Sequence, residues 1–247
     1  MIVKENHLRR MVKDAISLTN GKSHYFIFTE TDITGLFSSI AGQKEMNPES
    51  PGLTGYLVKS LADTLMEFPE LNCMRKGEDT IYRFPNIDVF MPVEKETEGE
   101  YIIYPSIIRS AEKMTLEEIN KAIQYFRSSD FEPLIGIEKL FLKLPAFLRR
   151  AYLRHSLRSH DRYRTIFGTT SFSSVGKVSN ERMWPVGNPL RCLELYAGNT
   201  VENTDIAGNK TIKINLVFAI DHTIADGAYG LRFISNFTAR LQNAANN

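Results

Sequence analysis

Apolar residues recur along the chain with two different periods, and the switches between them mark out its elements. Between residues 5 and 18, Leu8, Met11, Val12, Ala15 and Ile16 fall at helical spacing and predict an amphipathic helix. His24–Glu30, rich in aromatic and β-branched residues, reads as a strand, and Asp32–Ser39 as a turn with a short helix. Leu53, Leu57, Leu61 and Leu65 stand four apart on a second helix, which Pro69 ends. Thr80–Arg83, Asn86–Val93 and Glu100–Arg109 have strand character. Thr115-Leu-Glu-Glu118 has the spacing of a capping box, followed by an apolar stripe of Leu116, Ile119, Ile123 and Phe126.

In the second half, Phe167–Val175, Leu190–Ala197 and Lys210–Ile220 predict strands, with a polar turn at Asn203–Asn209. The last strand alternates, with Ile212, Ile214, Leu216, Phe218 and Ile220 on one face and Lys213 and Asn215 on the other. Leu231, Ile234, Phe237 and Leu241 give a terminal helix. Strands outnumber helices, and no repeat, low-complexity tract or Gly/Ser linker interrupts them. The pattern predicts one continuous α+β domain over residues 1–247.

Composition narrows this little. Hydrophobic residues at 43% and charged residues at 24% fit a globular chain with a real core. A formal charge of +1 gives no case for nucleic acid. Cys73 and Cys192 lack CxxC or metal-ligand spacing, and neither a disulfide framework nor a zinc site is expected. His24, His155 and His160 have no spacing for metal either, so no metal site is expected. The start is too polar for a signal peptide and no apolar run reaches membrane-spanning length, which makes the cytoplasm the expected compartment. One local imbalance stands out. From Lys139 to Arg164 there are eight Lys/Arg and one Asp, a local charge of +7 that leaves the rest of the chain net negative.

Chemistry concentrates near the C-terminus, in Asp221-His222-Thr223-Ile224-Ala225-Asp226-Gly227. A strand end can hold an imidazole rigidly at a cleft, and a helix start can anchor a carboxylate. That arrangement suits a general base acting on a thiol or hydroxyl.

With its surroundings, this segment resembles the catalytic domain of the 2-oxo acid dehydrogenase acyltransferases (dihydrolipoamide acyltransferases), relatives of chloramphenicol acetyltransferase. His222, Asp226 and Gly227 match the family's His-x-x-x-Asp-Gly, and Asp221 favours the dehydrogenase branch over the antibiotic enzymes. Other blocks agree in order: Arg9–Leu18 with Ser23–Phe26, Asp32–Leu36, Phe68–Asn72, Asn86–Val89, Pro105–Ile119, and Asn188-Pro189 with Leu193–Gly198. The resemblance implies a chloramphenicol acetyltransferase-like α+β sandwich, with a mixed or antiparallel sheet and flanking helices. It implies transfer of an acyl group between coenzyme A and the thiol of dihydrolipoamide, in a homotrimer whose active sites lie between subunits.

The site residues follow by the same resemblance. His222 is the general base. Asp226 is structural, bound to an arginine, either Arg9 or Arg10, although a carboxylate at a helix start also favours the helix dipole. Gly227 permits a tight turn. Gly168–Gly176 resembles the strand that supplies the oxyanion donor, placing that hydroxyl at Ser173, with Ser171 on the same strand face as the fallback; Ser174 replaces the family's asparagine.

The chain departs from the family pattern in two respects. Neither a lipoyl domain nor a peripheral-subunit-binding domain is legible in it, so a lipoyl group would come from another, lipoylated protein. Residues 134–164 have no family counterpart. There Ile137, Leu140, Phe141, Leu144, Phe147, Leu148, Tyr152 and Leu153 interleave with Lys139, Lys143, Arg149, Arg150 and Arg154, and Pro145 divides the segment into two helical pieces. Such an insertion suits packing on the domain with solvated charges, an anionic membrane surface, a partner, or the phosphates of coenzyme A. Besides a stand-alone acyltransferase, the sequence is compatible with a non-catalytic oligomeric scaffold of this fold, or with acetylation of a small-molecule hydroxyl.

Overall fold

The strongest alternation in the chain forms the centre of the structure. Strand β7 (Leu193–Thr204) and strand β8 (Lys210–Asp221) pair antiparallel, with Leu193 opposite Ile220. The computed structural model describes residues 9–97, 100–128, 131, 137–175, 181–204 and 208–244. Strand β1 (His24–Asp32) lies antiparallel on the free side of β8. Beyond β7 come β6 (Thr170–Ser174) and β4 (Val89–Thr97), both parallel, then β5 (Glu100–Ile108) antiparallel at the edge. The six-stranded sheet therefore runs β1-β8-β7-β6-β4-β5 and is mixed. Two short strands, β2 (Cys73–Arg75) and β3 (Ile81–Arg83), make a separate antiparallel pair.

One face of the sheet carries the main core. Val89 and Met91 of β4, Phe172 of β6, Leu195 of β7 and the even-numbered apolar residues of β8 meet helices there. The helices are α2 (Thr34–Met46), α3 (Leu53–Glu67), α4 (Leu116–Arg127) and α8 (Gly227–Asn243). The capping box at α4 is formed in both directions: Glu118 donates its amide to Thr115 Oγ1 at 3.2 Å, and Thr115 donates its own to Glu118 Oε2 at 2.8 Å.

The polar face expected on β8 is polar only at its start. Val217 and Ala219 are buried with Tyr196 beneath Phe26 and Trp184, so the far half of the strand is covered on both sides. Helix α1 (Arg9–Ile16) and the insertion cover the outer face near β4–β6. The insertion holds three helices instead of two: α5 (Ile137–Lys143), α6 (Ala146–Ser156) and α7 (His160–Phe167). Ser159 caps α7, and Tyr163 and Phe167, one turn apart, bury on one side of it. This helix takes over the beginning of the expected strand. Gly168, at φ 69°, then turns the chain into β6, and a Cβ there would stand 2.7 Å from the Asp88 carbonyl oxygen.

Three of the insertion's cations reach carboxylates of the domain. Buried Arg149 donates from Nε to Asp14 of α1 at 2.6 Å, and Arg150 reaches the same carboxylate at 3.0 Å. Arg164 donates to Asp88, fully buried, at 2.8 Å. The insertion is thus clamped to the domain by ion pairs as well as by apolar contact.

Candidate active site

His222 follows the last paired residue of β8, and hydrogen bonds fix its backbone on both sides. Its amide donates to the Ser23 carbonyl at 2.7 Å, which continues the pairing with β1. Asp221, buried, accepts from the Thr223 amide at 3.0 Å and the Thr223 hydroxyl at 2.7 Å, making an Asx turn. From β2, Arg75 donates through Nε to Thr223 Oγ1 at 3.3 Å and through Nη2 to the Thr223 carbonyl. Nothing in the local sequence around either residue announces Arg75, because the two segments lie 148 residues apart.

The imidazole of His222 is exposed and stands edge-on to Tyr25, with ring centroids 5.0 Å apart. The Tyr25 hydroxyl donates to the Asp226 carbonyl at 2.8 Å. Burial, with the nearby Asp226 and Cys192, pushes its phenol up to about 12, so at neutral pH it stays protonated and keeps donating. The glycine this arrangement needs is Gly230, where a Cβ would lie 2.5 Å from Tyr25 Oη and 2.8 Å from Ile220 Cδ1. Gly227, expected to permit the turn, is the first residue of α8, with open space where a Cβ would go.

Asp226 is the N-cap of α8: its Oδ1 accepts from the Tyr229 amide at 2.8 Å. The arginine partner implied by resemblance is not Arg10, whose guanidinium turns to the Leu142 carbonyl at 3.3 Å. The side chain of Arg9 lies outside the described residues. The cap already satisfies the carboxylate at the positive end of a helix, and α1 is drawn to the insertion through Asp14.

Ser171 and Ser173 occupy the outer face of β6 and line a cleft of about 450 Å³ between the sheet, α1 and the insertion. Ser171 is buried and Ser173 half-buried. A polar network forms part of the cleft wall. Buried Glu194 accepts at Oε1 from the amides of Leu190 and Arg191 (2.8 and 3.0 Å) and from Arg191 Nη1 (2.9 Å), and at Oε2 from the Tyr196 hydroxyl (2.8 Å). Burial alone would push the Glu194 carboxyl up, but Arg191 and these donors outweigh it and hold it below the usual carboxylate range. Burial and the same carboxylate push the Tyr196 phenol up.

His222 and Ser173 do not meet within one chain. Ser173 is level with Tyr196, and Tyr196 with Val217, so His222 lies five residues further along β8 and two strands across. At ordinary strand dimensions that is about 17 Å along and about 10 Å across. The two cysteines, distant in sequence, do come together. Both are free and buried, and both thiols reach the Glu70 carbonyl, Cys73 at 3.0 Å and Cys192 at 3.8 Å. A hydrogen bond with Cys73, then burial, raises the Cys192 thiol well above its ordinary value.

Residues 2–130 match the family described as 2-oxoacid dehydrogenases acyltransferase (catalytic domain). The chain belongs to this family. A curated relative, the dihydrolipoyllysine-residue succinyltransferase component of the 2-oxoglutarate dehydrogenase complex of Buchnera aphidicola subsp. Schizaphis graminum, is 25% identical over 187 residues. That alignment covers 74% of this chain and 40% of the relative, so the chain spans about two-fifths of its length. Among solved structures, an Azotobacter vinelandii dihydrolipoamide acetyltransferase, studied for the roles of a serine, a histidine and an asparagine in its catalysis, superposes with a TM-score of 0.73. It is 16% identical, with 100% of this chain and 94% of that one covered. A chloramphenicol acetyltransferase superposes at 0.50 and 11% identity, over 98% and 99% of the two chains. The fold is the expected α+β, chloramphenicol acetyltransferase-like one.

Several of the blocks on which the resemblance rests have structural work in this chain. Asp32 Oδ1 accepts from the Thr34 amide and hydroxyl at 2.9 and 2.6 Å at the entry to α2, and Thr34 Oγ1 accepts the Ile212 amide at 2.8 Å. Asn72 Nδ2 donates to the carbonyls of Phe84 and Asn86 at 3.1 and 3.0 Å, anchoring the β2–β3 pair beside the His222 loop. Arg109 donates to buried Asp88 at 2.9 Å and to the Arg164 and Thr165 carbonyls, linking β5 to α7 and so to the start of β6.

Proposed function

We propose that this protein is a coenzyme A-dependent acyltransferase whose site is completed by His222 of one chain and Ser173 of a neighbouring one. The observation that carries the reading is the separation of the two groups. An exposed imidazole on a tied-down loop stands at the end of β8, while a hydroxyl opens into a cleft elsewhere on the same sheet. Each is presented outward and neither can serve the other in one subunit. A homo-oligomer, in the simplest case a trimer, joins them.

The chemistry follows from those two groups. The neutral imidazole of His222 takes the proton of an acceptor thiol, and the thiolate attacks the carbonyl carbon of acyl-coenzyme A. The carbonyl oxygen becomes an oxyanion that accepts a hydrogen bond from Ser173. Collapse re-forms the C=O bond and breaks the bond to the sulfur of coenzyme A, which leaves as a thiolate and recovers the proton from the imidazolium. Products are free coenzyme A and the acylated acceptor, and every step reverses. The acceptor is a thiol such as dihydrolipoamide, on a lipoyl group carried by another protein. Asp226 acts on position, not on protons: it caps α8, and its carbonyl holds Tyr25 against the His222 ring. In the Azotobacter enzyme the histidine and asparagine studied are four residues apart, the spacing of His222 and Asp226 here.

Release of free coenzyme A from an acyl-coenzyme A, with dihydrolipoamide as acceptor, tests the reading. His222→Ala is expected to lose at least about a hundredfold in kcat. A protein that binds acyl-coenzyme A but never turns it over would instead be a scaffold of this fold.

A further inference from the structure

We infer that the acyl group this protein transfers is apolar and uncharged, and that the cleft between sheet and insertion holds it. The inference rests on the acyl-transfer reading above. A thioester whose carbonyl oxygen meets Ser173 directs its alkyl tail into the space that Ser173 lines. That space is walled by Met11 and Ile16 of α1, Phe90 and Ile103 of the sheet, and Leu142 and Leu153 of the insertion. Each methylene moved from water into such surroundings strengthens binding about fourfold.

The charges of the lining exclude a carboxylated tail. Among the described residues the lining has one cation, Arg191, which is buried, with its Nε, its Nη1 and its face engaged. Nη1 donates to Glu194 at 2.9 Å, Nε donates to the Phe167 carbonyl at 2.6 Å, and the guanidinium carbon lies 4.3 Å from the centroid of the Phe90 ring. The other charged groups of the lining are the carboxylates of Glu194, paired with Arg191, and Asp14, paired with Arg149 and Arg150. A succinyl tail would bring its carboxylate into an apolar space whose charged groups are already paired with one another. The Buchnera relative is named for succinyl transfer, so the specificity inferred here differs from that of a protein with which this chain shares its family. The insertion gains a role: its inward residues build one wall of the acyl site.

Calorimetry on the whole chain with coenzyme A, succinyl-, isovaleryl- and hexanoyl-coenzyme A tests this, with turnover to dihydrolipoamide followed in parallel. Hexanoyl- and isovaleryl-coenzyme A should bind at least about tenfold tighter than coenzyme A, and succinyl-coenzyme A no tighter than coenzyme A. Equal affinities, or succinyl ahead, would overturn the assignment. Ile103 is 50% exposed, so Ile103→Arg leaves the core untouched while placing a cation in the cleft. It should narrow the gap by strengthening succinyl binding and weakening hexanoyl; an unchanged ratio counts against the cleft. The two readings fail separately. If hexanoyl-coenzyme A binds best and nothing is turned over, the catalytic reading falls; if transfer proceeds with succinyl preferred, the acyl-site assignment falls.

Discussion

Hydrogen bonds made by Ser23, Asp221 and Arg75 fix the backbone around residue 222 and leave its ring open to solvent. That combination suits a group that must meet substrate in one orientation. Arg75 is a positioning residue in this account, since it touches Thr223 and not the imidazole. Arg75→Ala should lower kcat about tenfold with little change in KM and an unaltered melting temperature, because small displacements of a reacting group are costly; a shift in KM alone would remove it from this role. Ser173→Ala should cost about 2.7–4 kcal/mol of transition-state stabilisation, read from kcat/KM, while Ser171→Ala costs less. Gly230→Ala is expected to destabilise the fold by about 1–3 kcal/mol in denaturant titration, because its methyl would collide with Tyr25 and Ile220. Gly227→Ala, with open space around it, should be close to neutral.

Elements carry the next layer, and there electrostatics decides more than periodicity. Glu194 is held below the usual carboxylate range in the folded chain. A carboxyl lowered in this way adds stability at pH values above its unfolded value of about 4.3, and that stability disappears as pH falls through the lower folded value. Melting temperature should therefore drop on acidification below about pH 4. Glu194→Gln should lower it at neutral pH and flatten that acid dependence; an unchanged acid limb would show that Glu194 does not govern it. Long elements with a clear period were legible: β8, α3 and the capped α4 lie where their residues place them. Helix α2 runs to Met46, further than expected, because Gly35, Ser38, Ser39 and Gly42 weaken its signal while Leu36 and Ile40 bury against the core. Strand β2 has three residues, too few for any period. The outer face of β8 could not be read locally, since what covers it, Phe26 and Trp184, comes from remote segments.

At the scale of the whole molecule, sequence and structure divide the candidate site between them. The seven residues from Asp221 to Gly227 were enough to single out His222, and resemblance to related chains singled out Ser173. Neither told that strand register would hold the two about 17 Å apart along the sheet. Arg75, Gly230 and the Glu194 network are tertiary features with no local pattern. The insertion was legible as basic and apolar, but Leu140, Leu144, Phe147, Leu148 and Tyr152 of its apolar set are exposed, and its cations did not read as internal partners for Asp14 and Asp88. On the proposed function, the distance between His222 and Ser173 makes assembly part of the mechanism. Co-assembly of two inactive variants tests this most directly: His222→Ala and Ser173→Ala chains are mixed one to one as they form oligomers, and coenzyme A release is measured. If each site joins a histidine from one subunit to a serine from its neighbour, about one quarter of the sites recover both groups, and activity returns towards about a quarter of the wild-type rate. If the mixture stays as inactive as its two components although mixed oligomers have formed, the shared site is contradicted.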